Sequence, residues 1–419
     1  MKTIALLTFI AVYALLLLLP KYRAVSALSA AALFLLLRIV PLGDVAGTVD
    51  WNVLMMLAGT MGTVDLFIRS NMPNRLSDRL VAVLPSVKWL ALFAGLVSAF
   101  VDNVATVLML APVGLAISKK LNISPVQPIL AIAVSSNLQG AATLVGDTTS
   151  ILLGGHMGLD FMDFFAYRGR PGLFWVVQAG ALMTVPVMLF LFRKEKGKLY
   201  GAALTPVTDY LPTCLLLGTV LSLIAASFIP NKPEITNGLI CMTFFLAGLA
   251  AECGRHGTAL AKDVLKAIDY ETLALLAGLF LVIRGIERAG IIDDLSHIIT
   301  GMGGGNLFLT YTIIVWASVL ISAFVDNIPY TATMLPVVGG VAAALGVDQT
   351  VLCFGLLVGA TLGGNLTPVG ASANIAACGI LRREGYEVSA GQFMRIGVPF
   401  TLTAVLTGYV LVWLFYAGL

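Results

Sequence analysis

Two carboxylates sit where carboxylates are expensive. Asp102 lies in the run SAFVDNVATVLMLAP (98–112) and Asp326 in SAFVDNIPYTATMLP (322–336), stretches that align without a gap at a constant offset of 224 residues. Each aspartate is followed by an asparagine, Asn103 or Asn327, and flanked by apolar side chains. An aspartate at the centre of a bilayer costs about 2.5–3.5 kcal/mol on insertion scales, so a pair in matching positions reads as a functional pair. Capping a helix N-terminus returns only about 0.3–1 kcal/mol, or about 2 kcal/mol when partly buried, which leaves water, a bound ion or a proton to supply the rest.

Two further segments carry polar groups inside apolar spans: SSNLQGAATLVGDTTS (135–150) and GATLGGNLTPVGASAN (359–374). Val145-Gly146 matches Val369-Gly370 at the same offset, whereas Asn137 matches Asn365 only if four residues are skipped. Hard cations such as Na+ want oxygen ligands. The first half offers Asp102, Asn103, Asn137, Thr143 and Asp147, and the second offers Asp326, Asn327, Asn365, Thr367, Ser372 and Asn374. Na+ is expected at Asp102, Asn103, Asp326 and Asn327. Asp147 has no acidic counterpart, because the offset lands on Ala371, so the two half-sites are chemically unequal. For Asn137 and Asn365, capping of broken backbone competes with ligation, and Thr143 and Thr367 could equally bond to helix backbone.

These residues must be positioned inside a membrane. Of the 419 residues 59% are hydrophobic and 11% charged, and the mean hydropathy is +0.96, which excludes an ordinary soluble domain. The pattern predicts an all-α polytopic membrane protein with about ten transmembrane helices and two re-entrant helical hairpins. A first repeat (1–200) has apolar runs at 3–19, 24–40 and 51–68, a hairpin at 87–118 with Asp102-Asn103 at its tip, a broken helix at 126–155 and a span at 172–192. A second repeat (201–419) has spans at 210–229, 237–252 and 271–289, a hairpin at 306–343, a broken helix at 349–380 and a span at 394–416. The first run is read as a helix of the fold and not as a signal peptide, because it is long for one and its removal would spoil the repeat.

Five crossings per half is odd, so the second repeat is inverted relative to the first, a plan that places a site where broken helices meet. Assigning the loops at 21–23, 69–88, 119–120, 193–198, 255–266 and 382–395 to the cytoplasm puts 18 of the 25 Lys and Arg residues inside. Both termini and the loops near 44, 160, 232 and 293 then lie outside, and a bacterial inner membrane is the expected location. Cys214, Cys241, Cys253, Cys353 and Cys378 show no ligand-like spacing and read as packed thiols; His156, His256 and His297 fall in or near loops and take no role. Arg284, Glu287 and Arg288 read as structural ion pairing at a helix end, and Arg193, Lys194, Lys196 and Lys198 as a topology signal.

The pairing of VDN…MLAP with SNLQGAATLVGD, and of VDNIPYTATMLP with GGNLTPVGASAN, resembles the ion transporter superfamily on its arsenite permease, sodium/proton antiporter and P protein-like side. This branch carries a citrate transporter-like domain and is distant from the divalent-anion sodium symporters. The resemblance covers nearly the whole chain and implies their fold, often as a homodimer. Carboxylate symporters typically carry Ser-Asn-Thr at both hairpin tips, where this chain has Asp-Asn-Val and Asp-Asn-Ile. The added charges disfavour a dianion and favour a cation or proton. The expectation is therefore an ion-coupled secondary transporter of a small inorganic ion, coupled to Na+ or H+ and working by alternating access. The alternatives are a carrier of small organic anions and a passive anion channel. Membrane lipid and a small ion are the expected partners, with no nucleic acid and no cofactor; a membrane enzyme would need a catalytic constellation that the chain lacks.

Overall fold

The computed structural model describes residues 1–83, 87–121, 123–193 and 205–418. Lys194, Lys196, Lys198 and the boundary between the repeats at 200–201 lie outside them. The first half folds into α1 (Lys2–Leu18), α2 (Arg23–Leu36), a short α3 (Val45–Thr48), α4 (Trp51–Arg69), α5 (Met72–Val83), α6 (Val87–Ser98), α7 (Asn103–Leu121), α8 (Val126–Gly140), α9 (Thr148–Met157) and α10 (Leu173–Leu191). The second half gives α11 (Leu211–Ala226), α12 (Thr236–His256), α13 (Thr258–Ala267), α14 (Tyr270–Arg288), α15 (Ile291–Met302), α16 (Leu307–Ser322), α17 (Asn327–Leu345), α18 (Thr350–Gly363), α19 (Ser372–Arg383) and α20 (Ala390–Tyr416). A two-stranded ribbon, Ala166–Tyr167 against Arg170–Pro171, completes the described elements.

Among the described residues α4, α10, α12, α17 and α20 are long and apolar enough to cross a membrane alone, and α1, α2, α7, α11 and α18 are shorter apolar helices. Both predicted hairpins are present, α6 with α7 and α16 with α17, and so are both broken helices, α8 with α9 and α18 with α19. In each half the first hairpin arm packs on the first part of the broken helix, and the small residue that permits this changes sides. A Cβ on Gly95 of α6 would lie 3.0 Å from Gln139 Cγ of α8, whereas one on Gly363 of α18 would lie 2.6 Å from Val319 Cα of α16. The 224 offset pairs Gly95 with Val319 and Gln139 with Gly363, so knob and hole are exchanged between the repeats.

The structure corrects the reading of 69–88, 255–266 and the region near 293 as loops: α5, α13 and α15 occupy them. Each is amphipathic. In α13 Ala261 and Val264 are buried while Lys262, Asp263 and Lys266 are exposed, and in α15 Ile291, Ile292 and Ser296 are buried while Asp293 and Asp294 are exposed. The bend of 113° between α15 and α16 is where a surface helix turns into an apolar one. Such helices are too short and too charged to register as spans, and their apolar stripe suits an interface. His156 and His297 accordingly fall within α9 and α15, and Cys214 is exposed, not packed.

Contacts sort the loops into two ends. At one end Lys2 pairs with Asp294, Asp44 with Arg288, Arg168 with Asp348 and Lys232 with Asp160, and Arg170 bonds to the Gly418 carbonyl. At the other Arg23 pairs with Glu271, Arg69 bonds to the Asp263 carbonyl, Thr205 to Asp78 and Arg255 to Asp209. Each of these contacts joins segments that the charge pattern assigns to the same side. Near the middle Tyr13 of α1 donates to the Pro329 carbonyl at 2.8 Å and also bonds Thr333, so the first apolar run is built into the second hairpin.

Candidate functional site

Four helices begin at one place. The N-termini of α7 (Asp102, Asn103, Val104, Ala105), α9 (Asp147, Thr148), α17 (Asn327, Ile328) and α19 (Ser372) line a single cavity of about 360 Å³. Its outer wall is Arg23, Asp65, Ile68, Ala267, Asp269 and Thr272, from the end where α4 stops and α14 starts. A helix start presents unpaired N–H groups and positive partial charge, and carboxylates complement both. Three of the four starts have one. Asp102 accepts from the Val104 and Ala105 amides at 3.0 and 3.1 Å, Asp147 from the Thr148 amide at 2.8 Å, and Asp326 from the Ile328 amide at 3.0 Å. The fourth, at α19, has Ala371 in the cap position and no side-chain cap.

Behind the tips a buried amide and hydroxyl network joins the halves. Asn103 Nδ2 donates to Asn137 Oδ1 at 2.9 Å; Asn137 Nδ2 donates to the Thr361 carbonyl at 2.8 Å and to Asn365 Oδ1 at 3.2 Å; Asn365 Nδ2 donates to the Val134 carbonyl at 2.9 Å. From the other tip Asn327 Nδ2 approaches Asp147 Oδ2 at 3.5 Å, the same oxygen accepts from Thr149 Oγ1 at 2.9 Å, and Thr149 lies 2.9 Å from Thr361 Oγ1. The first tip thus reaches the opposite half through one intermediate residue, Asn137, and the second reaches it directly at Asp147.

The breaks themselves follow the repeat closely. Thr143 donates to the Ala99 carbonyl and Thr367 to the Ala323 carbonyl, the same bond 224 residues on. Gly146 and Gly370 each lie against the end of the first hairpin arm: a Cβ would fall 2.6 Å from the Gly140 or Gly364 carbonyl oxygen and 2.9 or 2.8 Å from that of Ala99 or Ala323. Tip and break are therefore locked together in both halves by backbone contact that only glycine allows.

Of the candidates read from sequence, Asp102, Asn103, Asp147, Asn327 and Ser372 reach the cavity. Asp326 stands just behind, bonded to Ser372 Oγ at 3.3 Å and to Arg23 Nη1 at 2.9 Å. Asn137 and Asn365 form the second layer. Thr143 and Thr367 hold backbone and do not face the cavity, and Asn374 donates to the Gly364 and Thr367 carbonyls at 3.0 and 3.2 Å while its buried Oδ1 has no partner. Sequence reasoning missed Arg23, Asp65, Asp269, Thr149 and Thr361. Thr361 could have been found, since the unskipped offset of 224 puts it opposite Asn137. No group of three or more His, Cys, Asp or Glu at metal-holding distance occurs among the described residues, so an ion at the tips would take amide, hydroxyl and carbonyl oxygens as well.

A second cavity, of about 930 Å³, lies at the opposite end and is lined by Asp50, Asn52, Gly154, Gly155, Gly158, Asp160, Lys232, Glu234 and Asn237 among others. Helix α9 has its first residues at one cavity and its last at the other.

Comparison with known proteins places this architecture. The family described as Citrate transporter matches residues 13–352. The chain belongs to the citrate transporter family. An uncharacterized transporter of Mycobacterium tuberculosis is 30% identical to this family member over 99% of both chains. The human P protein is 26% identical over 97% of the chain, which spans 59% of that longer protein. Two solved structures share the fold: the YdaH transporter of Alcanivorax borkumensis (TM-score 0.61, 15% identity, 93% of this chain and 96% of that one) and MtrF of Neisseria gonorrhoeae (0.57, 14%, 93% and 85%), the latter described as an antimetabolite efflux pump. This citrate transporter family protein is thus an integral membrane transporter, and the convergent N-termini are its candidate transport site.

Proposed function

We propose that the chain is a secondary transporter that moves a small inorganic ion, coupled to Na+ or H+, by alternating access. The observation that carries this reading is the charge of the tip cavity: Asp65, Asp102, Asp147 and Asp269 line it against Arg23, and Asp65 has Arg69 at 2.6 Å outside it. Acidic groups at the ends of half-helices attract cations and repel anions, and unwound backbone nearby supplies further oxygens. The cavity lies at the end holding residues 23, 69 and 267–272, which the Lys and Arg distribution assigns to the cytoplasm, so the structure corresponds to an inward-open state in this reading. The membrane would be a bacterial inner membrane with both termini outside, and the coupling ion would sit at Asp102 and Asp147.

A second reading has one observation in its favour. The α19 N-terminus is uncapped and faces the cavity beside Ser372, which suits one carboxylate of an organic anion, and the family description names citrate. Purified protein in liposomes loaded with a pH-sensitive dye separates the two. An inward Na+ gradient that changes lumenal pH in the wild type, and no longer does in Asp102→Asn or Asp147→Asn, supports ion coupling at this site. Absence of any Na+ response together with uptake of labelled citrate moves the organic anion to first place.

A further inference from the structure

The two tip aspartates are not equivalent, and one already holds a cation. Arg23 Nη1 lies 2.9 Å from Asp326 Oδ2 and Arg23 Nε lies 3.4 Å from Glu271 Oε1, with the Arg23 and Asp326 side chains only 20% and 19% exposed. Asp102 has two amides and no basic partner among the described residues. The caps differ as well. The position matching Ala105, whose amide gives Asp102 Oδ1 its second cap bond, is Pro329, which has no N–H, so Asp326 Oδ1 keeps one cap bond while its Oδ2 takes Arg23 and Ser372.

The other half offers no such arginine. Gly278 of α14 packs on Ala27 and Leu28 of α2, and Gly59 of α4 packs on Cys241 and Met242 of α12, so the same close crossing occurs once in each direction. Counting back four residues from Ala27 reaches Arg23, and from Cys241 reaches Asn237, a neutral residue that lines the opposite cavity. The positive charge is therefore an addition to one half of the repeat and not a requirement of helix packing.

We propose that Arg23 is a tethered counter-cation that occupies the cation position at Asp326, so that of the two hairpin tips only that of Asp102, with Asp147 beside it, is open to a diffusible cation entering this cavity. This deepens the ion-coupled reading above and rests on it. A guanidinium does not titrate in the working range, so Arg23 remains a cation wherever geometry holds it against Asp326. Because Arg23 belongs to α2, packed on α14, while Asp326 belongs to the hairpin, withdrawal of the hairpin tip would leave Asp326 without its partner.

The test is equilibrium binding of radiolabelled Na+ to purified protein, compared between wild type, Arg23→Gln, Arg23→Lys and the double variant Arg23→Gln/Asp326→Asn. The expected result is an additional Na+ ion per chain in Arg23→Gln, absent from Arg23→Lys and lost again in the double variant. If Arg23→Gln gains no Na+, or the gain survives in the double variant, the proposal is overturned. Should Arg23→Gln not fold, Arg23→His read at about pH 5 and about pH 8.5, on either side of the ordinary histidine range, gives the same contrast relative to wild type at the same pH. Extra Na+ only at the higher pH supports the proposal and equal counts refute it. The readout is a gain over wild type, so a wild type that binds no Na+ counts against the coupling reading alone.

Discussion

Alanine at Gly146 or Gly370 should damage transport through geometry alone, without touching a charge. Each Cβ would lie 2.6 Å from a carbonyl oxygen of its own break and 2.8–2.9 Å from one of the hairpin arm, and real Cβ contacts essentially never fall below 3.0 Å. The obstacle is backbone in both directions, so either the break or the tip must move. Overpacking of this kind costs about 1–3 kcal/mol. Carried by one of two conformations, the same energy shifts their equilibrium by about 5- to 150-fold. The assay is Na+-dependent pH change in liposomes, with folding followed by intrinsic tryptophan fluorescence on heating. Gly379→Ala is the control, because nothing lies within 4 Å of its Cβ, and it should be as active as wild type and slightly more stable. Since the two sites repeat one contact, Gly146→Ala and Gly370→Ala should lose activity alike. Wild-type activity and stability in either variant would refute the claim that tip and break are locked by this contact.

Asn137→Ala removes a partner from Asn103 Nδ2, the Thr361 carbonyl and Asn365 Oδ1 at once. At about 0.6 kcal/mol per intramembrane bond, and more where a group is orphaned, it should lower stability by about 2–5 kcal/mol in denaturant titration. Tyr13→Phe should cost about 0.6–1.7 kcal/mol by the same measurement, and no loss would mean that α1 is only laid against the second hairpin. Asp348 is held below the usual carboxylate range: partial burial pushes it up, but the Thr350 hydroxyl and amide and Arg168 outweigh that. A depressed carboxylate contributes stability above its unfolded pKa and loses it as pH falls through the folded value, so wild-type melting should fall more steeply below about pH 4 than that of Asp348→Asn. With Cys214 replaced, a membrane-impermeant maleimide should label Arg168→Cys in intact cells and Arg383→Cys only after permeabilisation; labelling of both from one face would overturn the assigned topology.

Much of this architecture could be read from residue types because membrane burial makes polar residues conspicuous. Asp102 and Asp326 stand out in apolar runs, and the structure makes each the cap of a second hairpin arm. Gly146 and Gly370 were visible as a matched pair, though the carbonyl contacts that require them were not. What escaped were features whose signal is not an interrupted apolar run. The helices α5, α13 and α15 carry their apolar residues on one stripe and look like charged loops to any search for long spans. Arg23 was counted toward topology because it follows Pro20 and Lys21 at the end of a span, and only the fold reveals that it reaches a residue 303 positions away. Thr149 and Thr361 are unremarkable in composition, and their role depends on two breaks meeting.

The ten residues of α9 are also an electrical distance. A helix of that length is about 15 Å long, and a cavity opens at each of its ends. Filled with water and ions, both cavities would conduct, and the membrane voltage would then fall mainly across the thin septum between them and not across the full thickness of the bilayer. A unit charge crossing the whole of that drop exchanges about 2.3 kcal/mol for every 100 mV. An ion released from the Asp147 end toward the Gly158 end would therefore experience most of the membrane potential within three turns of one helix, and any uncompensated charge movement there would make the rate of the cycle steeply voltage-dependent.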